Sequence, residues 1–329
     1  MIKFRLPRLH GLRPARCLAA LAFAALGTAA LAAYPDRPIR LVVPFPPGGP
    51  NDIIARLLSE KLTGALGKPV VIDNVPGGST IIGTRQVAEA PADGYTVLMV
   101  SPSHVINPGL RSDMPYDLLR DFAPVIEVAV SPNVLAVNSA TPAKNVAELI
   151  ALAKAHPGEI NYGSGGTGTA THLAGELLCS MAGVKMNHIP YKGDAQATVD
   201  LLGNQISWKF GTILSIKQHV DAGRLRALAV SGPRRVPAMP NVPTVAETIP
   251  GFDATSLYGV MVPIRTPAPI VERLNKEIGK IVASESFRKI LSEDGAEVVG
   301  GTPQQFGQNL AQAIDKWKTV IRNAGIKLQ

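Results

Sequence analysis

The chain has 329 residues, 46% hydrophobic and 18% charged, with a formal net charge of +8 and two cysteines. That length and apolar content suit two cores of ordinary domain size. The charge is no nucleic-acid footprint: Lys3, Arg5, Arg8, Arg13 and Arg16 carry five of the positives, and no dense Lys/Arg cluster follows residue 40.

Those five residues form a basic stretch without an acidic one. An Ala/Leu-rich apolar run from Leu18 to Ala33 follows, with Ala30-Leu31-Ala32 as an A-x-A cleavage signal. Residues 1–32 are thus predicted to be a secretory signal peptide, cleaved near Ala32. Its loss takes five charges from +8 and leaves +3. The run is too short and too Ala-rich for a membrane span, and no later segment approaches ~20 uninterrupted apolar residues. Cys17 departs with the leader, so Cys179 has no disulfide partner within the mature chain. Within Leu173–Met181 it reads as a small buried hydrophobe.

From Ile39 the pattern is βα throughout. The strand Ile39–Pro44 leads through PPGGP into a helix with Ile53, Ile54, Leu57, Leu58 and Leu62 on one face and Asn51 as its N-cap. Val70–Asp73 precedes PGGS and a helix over Thr80–Ala90, and Tyr95–Val100 ends in a Ser/Pro-rich loop. A new unit opens with the strand Val134–Asn138. The helix Val146–Ala155 follows, capped by Asn145 with Glu148 in the capping-box position. Next come Ile160–Tyr162, a glycine loop, a helix from about Thr169, the loop Pro190–Gly193, the helix Ala195–Leu202 and the strand Leu225–Val230. Segment 233–250 has no periodicity and reads as a structured loop. Leu257–Val262 is a strand, Pro267 and Pro269 open the helix Ile270–Val282, and Thr302-Pro303 starts the last helix. Its residues Phe306, Leu310, Ala313, Trp317 and Ile321 share one face. Short strands alternating with helices predict an α/β fold of parallel sheets covered on both faces. The strands near 134–138 and 257–262 are candidates for crossing between two lobes. This places lobe 1 at 33–136 and 256–329 and lobe 2 at 137–255.

The stretch 161-NYGSGGTGTATHL-173 contains G-x-G-x-x-G at Gly163, Gly165 and Gly168. A dinucleotide site also needs an acidic residue about 20 positions on, for the ribose hydroxyls. Val184–His188 offers none, so no nicotinamide cofactor is expected. The physical content of the loop remains: glycines admit a ligand to the backbone, and a helix start with hydroxyls beside it favours an anion. Phe45–Asn51, Asn74–Thr80 and Ser101–His104 are further polar loops at strand ends, where open α/β sheets bind ligands.

Signals for catalysis are thin. Ser164 and His172 can be cast as nucleophile and base, but there is no G-x-S-x-G elbow and no evident third acid. His104, His172 and His188 lack metal-site spacing. His172 is expected to hold the glycine loop. Asp52 is expected to stabilise its helix start, the alternative being to read an amino group of a ligand. Asp194 reads as a cap or surface group.

The runs PFPPGGPNDIIARLL (44–58), IDNVPGGSTIIGT (72–84), ADGYTVL (92–98), NYGSGGTGTATHLAGELL (161–178), HIPYKGDAQATVDLLGNQI (188–206) and LRALAVSGPRRVPAMPNVPTVAE (225–247) resemble the Bug-type receptors of tripartite tricarboxylate transporters. The resemblance runs from about Tyr34 to the C-terminus. It implies a periplasmic, non-enzymatic, monomeric receptor of type II periplasmic binding protein fold: two α/β lobes joined by two crossover strands, with a ligand cleft between them. It also implies a small organic carboxylate as ligand, delivered to membrane permease subunits, with no cofactor or metal. An exported α/β enzyme and a receptor coupled to signalling are the alternatives. By position, the family's first ligand loop corresponds to Phe45, Pro47, Gly48, Gly49 and Asp52. Its carboxylate loop corresponds to Ser164, Gly165, Thr167, Gly168, Thr169 and His172. Ser101, Lys192 (in the loop Tyr191–Gly193) and Tyr258 complete the expected site. The sequence departs from the family pattern at Val75, where an arginine is usual, at Asn204, where a glycine is usual, and at Ser207, where an acid is usual. These departures bear on the ligand's distal end.

Overall fold

The computed structural model describes residues 34–293 and 295–326. The expected leader, 1–32, lies outside them. From Arg37 onward the chain folds around two sheets. The first uses β1 (Ile39–Val43), β2 (Val70–Asn74), β3 (Thr96–Val100), β4 (Phe122–Ser131), β10 (Ser256–Pro263) and β11 (Glu297–Gly300), in the order β11-β4-β10-β3-β1-β2. The second uses β5 (Asn133–Asn138), β6 (Asn161–Ser164), β7 (Asn187–Pro190), β8 (Trp208–Thr212) and β9 (Leu225–Val230), in the order β7-β6-β8-β5-β9.

The sheets are mixed, where the sequence pattern predicted parallel ones. β1 runs parallel to β2 and β3, and β6 to β7 and β8. The strands that carry the chain between sheets enter from the other end. Hence β10 is antiparallel to β3 and β4, and β5 to β8 and β9. Neither strand expected to cross spans both sheets. β5 pairs wholly within the second sheet and β10 wholly within the first, so a boundary after residue 136 falls inside β5. The chain passes over at Pro132 and returns through 231–255. Ser231 clasps the two passages. Its N–H donates to Asn133 O (2.8 Å), and its Oγ accepts from Asn133 N–H (2.8 Å) and donates to Ala254 O (3.1 Å). Ala254 N–H closes the set on Ser231 O (2.9 Å).

Helices cover these sheets: α1 (Pro50–Leu66), α2 (Ile81–Ala88), α3 (Pro102–Leu110), α8 (Ala268–Ala283) and α9 (Glu285–Glu293) on the first, and α4 (Val146–Ala155), α5 (Ala170–Ala182), α6 (Asp194–Leu202) and α7 (Ile213–Asp221) on the second. α10 (Pro303–Ala324) starts at a capping box of Thr302 and Gln305. It buries Phe306, Leu310, Trp317 and Ile321 against α3, β4 and α5, so one apolar face serves helices of both sheets. Cys179 is free and buried in this core, and burial pushes its thiol up to about 12. None of the described helices is long and apolar enough to cross a membrane.

Seven strands and helices escaped the sequence reading, β4, β7, β8, β11, α3, α7 and α9, four of them for identifiable reasons. β4 carries Pro124 and a buried Glu127, whose carboxylate accepts from Asn309 Nδ2 at 2.7 Å. β8 contains a fully buried lysine. α3 begins with Pro102 and contains Pro108, so it resembled a loop. α7 follows β8 with no intervening turn residue.

Asn145 caps α4 as expected: its Oδ1 accepts from Glu148 N–H at 2.8 Å, and Glu148 returns a bond to Lys144 N–H at 2.8 Å. Replacing it by Ala should cost about 1 kcal/mol. Urea unfolding would register this as a lower midpoint at unchanged slope. An unmoved midpoint would mean that the cap adds nothing.

Candidate functional site

Because β1–β4 share one direction, Val43, Asn74, Val100 and Ser131 end on one edge of the first sheet, and antiparallel β10 starts there with Ser256 opposite Ser131. In the second sheet Ser164, Pro190 and Thr212 end on one edge, and β5 starts there with Asn133 opposite Thr212. The chain crosses between sheets at these same edges. A cleft of about 490 Å³ opens between them, within the usual size range for small-molecule sites.

Helix starts dominate its wall: Gly49–Asn51 of α1, Ser101–Ser103 of α3, Thr169–Thr171 of α5, Asp194 of α6 and Thr212 of α7. The first N–H groups of a helix have no intrahelical acceptor and carry the positive end of its dipole. Phe45, Pro47, Ile53, Ile54 and Leu214 supply apolar surface. Among the described residues no Lys, Arg or His side chain lines the cleft, and Asp194 is the one carboxylate that does. A more open depression of about 600 Å³ near Arg85, Asp121 and Arg265 lies by the residues that precede β3 and β4, at the opposite strand ends.

Of the expected site residues, Phe45, Pro47, Gly49, Ser101, Thr169 and Tyr258 line the cleft. Tyr258 is 7% exposed, its phenol is pushed up to about 12 by burial, and its hydroxyl has no hydrogen-bond partner among the described residues. Gly48, Asp52, Ser164, Gly165, Thr167, Gly168, His172 and Lys192 do not line it. Most of these build the loops instead. Asp52 is buried, with Oδ2 accepting from Gly48 N–H (2.9 Å) and Arg56 Nε (2.8 Å) and Oδ1 from Asn74 Nδ2 (2.9 Å). Burial opposes its ionisation, but these three donors prevail and hold the carboxyl below its ordinary value. Asn74 Nδ2 also reaches Phe45 O at 3.1 Å, so Asp52 and Asn74 together fix the turn in which Gly48 takes φ +90°. Asp52 therefore braces its helix start, and the alternative of reading a ligand amine from this carboxylate finds no opening.

The glycine loop is likewise turned inward. Ser164 is fully buried, its Oγ pairs with His188 Nε2 at 2.7 Å, and it accepts from Gly166 N–H at 3.1 Å. Gly165 N–H donates to Thr171 Oγ1 (3.2 Å) and Gly168 N–H to His172 Nδ1 (3.0 Å). The His172 and His188 rings stack with centroids 3.7 Å apart. Tyr162 lies against His188 and donates to Glu176. Burial, reinforced by the neighbouring His172 ring, lowers the His188 pKa to about 4. Ser164 thus meets His188 rather than His172, behind the wall. Gly163 is closed over by Ile206, Tyr191 and Ala197, so its missing side chain serves packing rather than a phosphate. Thr167 and Lys192 are exposed.

The sequence reading missed the polar groups that do face the cleft. Asn51 is not the N-cap, which is Gly49; it is 4% exposed, and neither its Nδ2 nor its Oδ1 has a hydrogen-bond partner. Asn133 is 5% exposed and its Nδ2 is also unpartnered. Buried amides left unpaired are costly, and both of these residues line the cleft wall. Ser131, Asn133, Thr212 and Ser256 carry no motif. Only knowledge of the crossing point would have brought them together.

His104, expected in a polar loop, is fully buried. Its Nδ1 accepts from Ser101 N–H (3.0 Å), and its Nε2–H donates to Thr84 Oγ1 (2.9 Å), whose own proton goes to Thr80 O (2.8 Å). This neutral ring ties the start of α3 to α2.

A sequence model described as the tripartite tricarboxylate transporter family receptor matches residues 54–326. Protein BugT of Bordetella pertussis (strain Tohama I) is 38% identical over 299 residues, covering 90% of this chain and 92% of BugT. The structure of R. palustris Rpa4515 with adipate is similar at TM-score 0.78 and 38% identity, over 89% of this chain and 99% of that one. MatC (Rpa3494) of Rhodopseudomonas palustris with bound malate aligns at TM-score 0.74 and 28% identity, over 88% and 100%.

Burial lowers the His104 pKa from 6.5 to about 4. The unfolded chain therefore binds a proton that the folded chain refuses between those values, and stability should fall as pH falls through this window. His104→Asn, which keeps an acceptor for Ser101 N–H, should flatten that slope by up to ~1.4 kcal/mol per pH unit. Melting temperatures of both proteins from pH 7.5 to 4 would check it. Parallel curves would count against His104 as the source.

Proposed function

The chain belongs to the tripartite tricarboxylate transporter receptor family, as a solute-binding receptor for a carboxylate, and on that footing we propose how it holds its ligand. One carboxylate sits at the start of α5, over Thr169–Thr171, and is covered from the first sheet by Asn51 and the Phe45–Pro47 turn. The observation that carries this reading is a pair of buried side-chain amides with unpartnered atoms, Asn51 (Nδ2 and Oδ1) and Asn133 (Nδ2), on opposite sides of a cleft that no cationic side chain lines among the described residues. Neutral donors suffice for an anion here. The helix starts supply oriented N–H groups, and each charge-assisted hydrogen bond contributes roughly 1.5–3 kcal/mol. Three or four, less ordering costs, support micromolar affinity, about −8 kcal/mol.

The lobes divide at Pro132 and within 231–255, hinged at the Ser231 clasp. A ligand touching both sheets favours the closed state over the open one. The protein is exported to the periplasm and passes its ligand unchanged to membrane permease subunits, acting as a monomer. Adipate in one relative and malate in another support a compact organic acid, for which the cleft has room. The receptor reading is favoured over the enzymatic one because Ser164 and His188 lie behind the wall and their loop bonds are already made.

Asn51→Ala with Asn133→Ala should weaken binding of adipate or malate, whichever the wild type takes more tightly, by tenfold or more in calorimetry. Full affinity in the double variant would remove both amides from the site. Recovery of the acid unaltered after overnight incubation is the matching expectation for a receptor; any product formed would sink it.

A further inference from the structure

The second-sheet wall of the cleft is backed by an ion pair, Lys209 with Asp194. Lys209, on β8, is 0% exposed, yet it does not face the cleft. Its ammonium donates to Asp194 Oδ1 (2.7 Å), Asp194 O (2.9 Å) and Thr198 Oγ1 (2.9 Å), which uses all three of its protons. The side chain between the ammonium and the ligand space is Asp194, whose side chain is 30% exposed and lines the cleft. A lysine in such a protein invites the role of counter-ion to the ligand. The geometry gives the opposite polarity: the cation is behind and the carboxylate in front.

The Asp194 side chain cannot turn away without stripping a buried ammonium of its one charged acceptor, a costly change. Its remaining oxygen is under-used. Oδ2 has one neighbour, Ser215 Oγ at 3.2 Å, and the single proton of that hydroxyl also faces Thr212 O at the shorter distance of 2.9 Å. Thr212 sits opposite Asn133 in the β5–β8 register, so the unpartnered Asn133 Nδ2 and the under-used Asp194 Oδ2 belong to one end of the cleft. One is a donor in want of an acceptor, the other an acceptor in want of a donor.

Resting on the carboxylate-receptor reading above, we propose that Asp194, pinned by Lys209, determines specificity: it selects a carboxylate whose carbon chain also bears an N–H or O–H donor, a hydroxy or amino acid, over the unsubstituted acid of the same length. The substituent's hydrogen meets Asp194 Oδ2 while Asn133 and the start of α5 take the carboxylate. An unsubstituted chain leaves Oδ2 facing carbon, and a second carboxylate at that end meets a like charge in a partly dry wall.

Calorimetry with matched acids tests this: succinate, malate and aspartate at four carbons, and adipate against 2-aminoadipate at six. Wild-type protein should bind a substituted member at least tenfold more tightly than its unsubstituted partner. Asp194→Asn should reduce that ratio at least fivefold, chiefly by weakening the substituted acid. The double variant Asp194→Asn with Lys209→Gln removes both charges together, so it reports the same ratio without a buried, unpaired ammonium. A gain for malate as well as aspartate assigns a general donor site, and a gain for the amino acids alone assigns a cation site; both support the proposal. Equal affinity within each matched set, or an equal loss for all acids in the variants, overturns the role of Asp194 and leaves the carboxylate reading standing. Failure of every acid to bind overturns both.

Discussion

The site depends on one topological constraint: the chain changes sheets at the edge where the parallel strands of both sheets end. Ser131 and Ser256 close the first sheet at that edge, Asn133 and Thr212 the second, and Ser231 bonds the passages to each other. Every helix that follows a parallel strand must then start at the same seam. Five such starts meet around one space. Positive dipole ends and uncommitted N–H groups accumulate there as a consequence of strand direction, before any side chain is chosen.

A site made in this way can hold an anion without a basic residue, and the surrounding chemistry keeps it so. Two cations beside the loops are committed elsewhere: Arg56 to Asp52, Lys209 to Asp194. Histidines are used as braces. His104 joins α3 to α2, and His172 and His188 stack beneath the glycine loop, where each ring nitrogen that meets the loop is already bonded to it. The loops are thereby fixed before a ligand arrives, and less ordering cost falls on binding. Apolar surface from Phe45, Ile53, Ile54 and Leu214 lowers the local polarity, which strengthens the few hydrogen bonds that a ligand makes.

The chemistry that remains free in the wall is small and specific. Among the described residues, two amides carry unpartnered atoms, and a carboxylate keeps one oxygen lightly engaged. In the proposed reading, general capture of a carboxylate falls to the helix starts and discrimination among carboxylates to these side chains.

Sequence alone determined the α/β class, the exposed and buried faces of the long helices, the caps at Asn145 and Thr302, and the strand-end loops that border the cleft. Each is written in local periodicity or local hydrogen-bonding, and the family motifs added the two-lobed plan. It put the crossings near β5 and β10, where the chain passes between sheets just before each strand, and read parallel sheets for mixed ones; it read Asp52 and His172 as braces, and only the family motifs gave them, with Ser164, to a ligand, where the structure shows their bonds made within the loops. Asn51 looked like a cap because Asn before an apolar run is usually one, and Asp194 like a surface group because its lysine lies 15 residues on, in another element. Which way a polar side chain faces is set by partners distant in sequence, so only the tertiary structure decided which of these groups the ligand can reach.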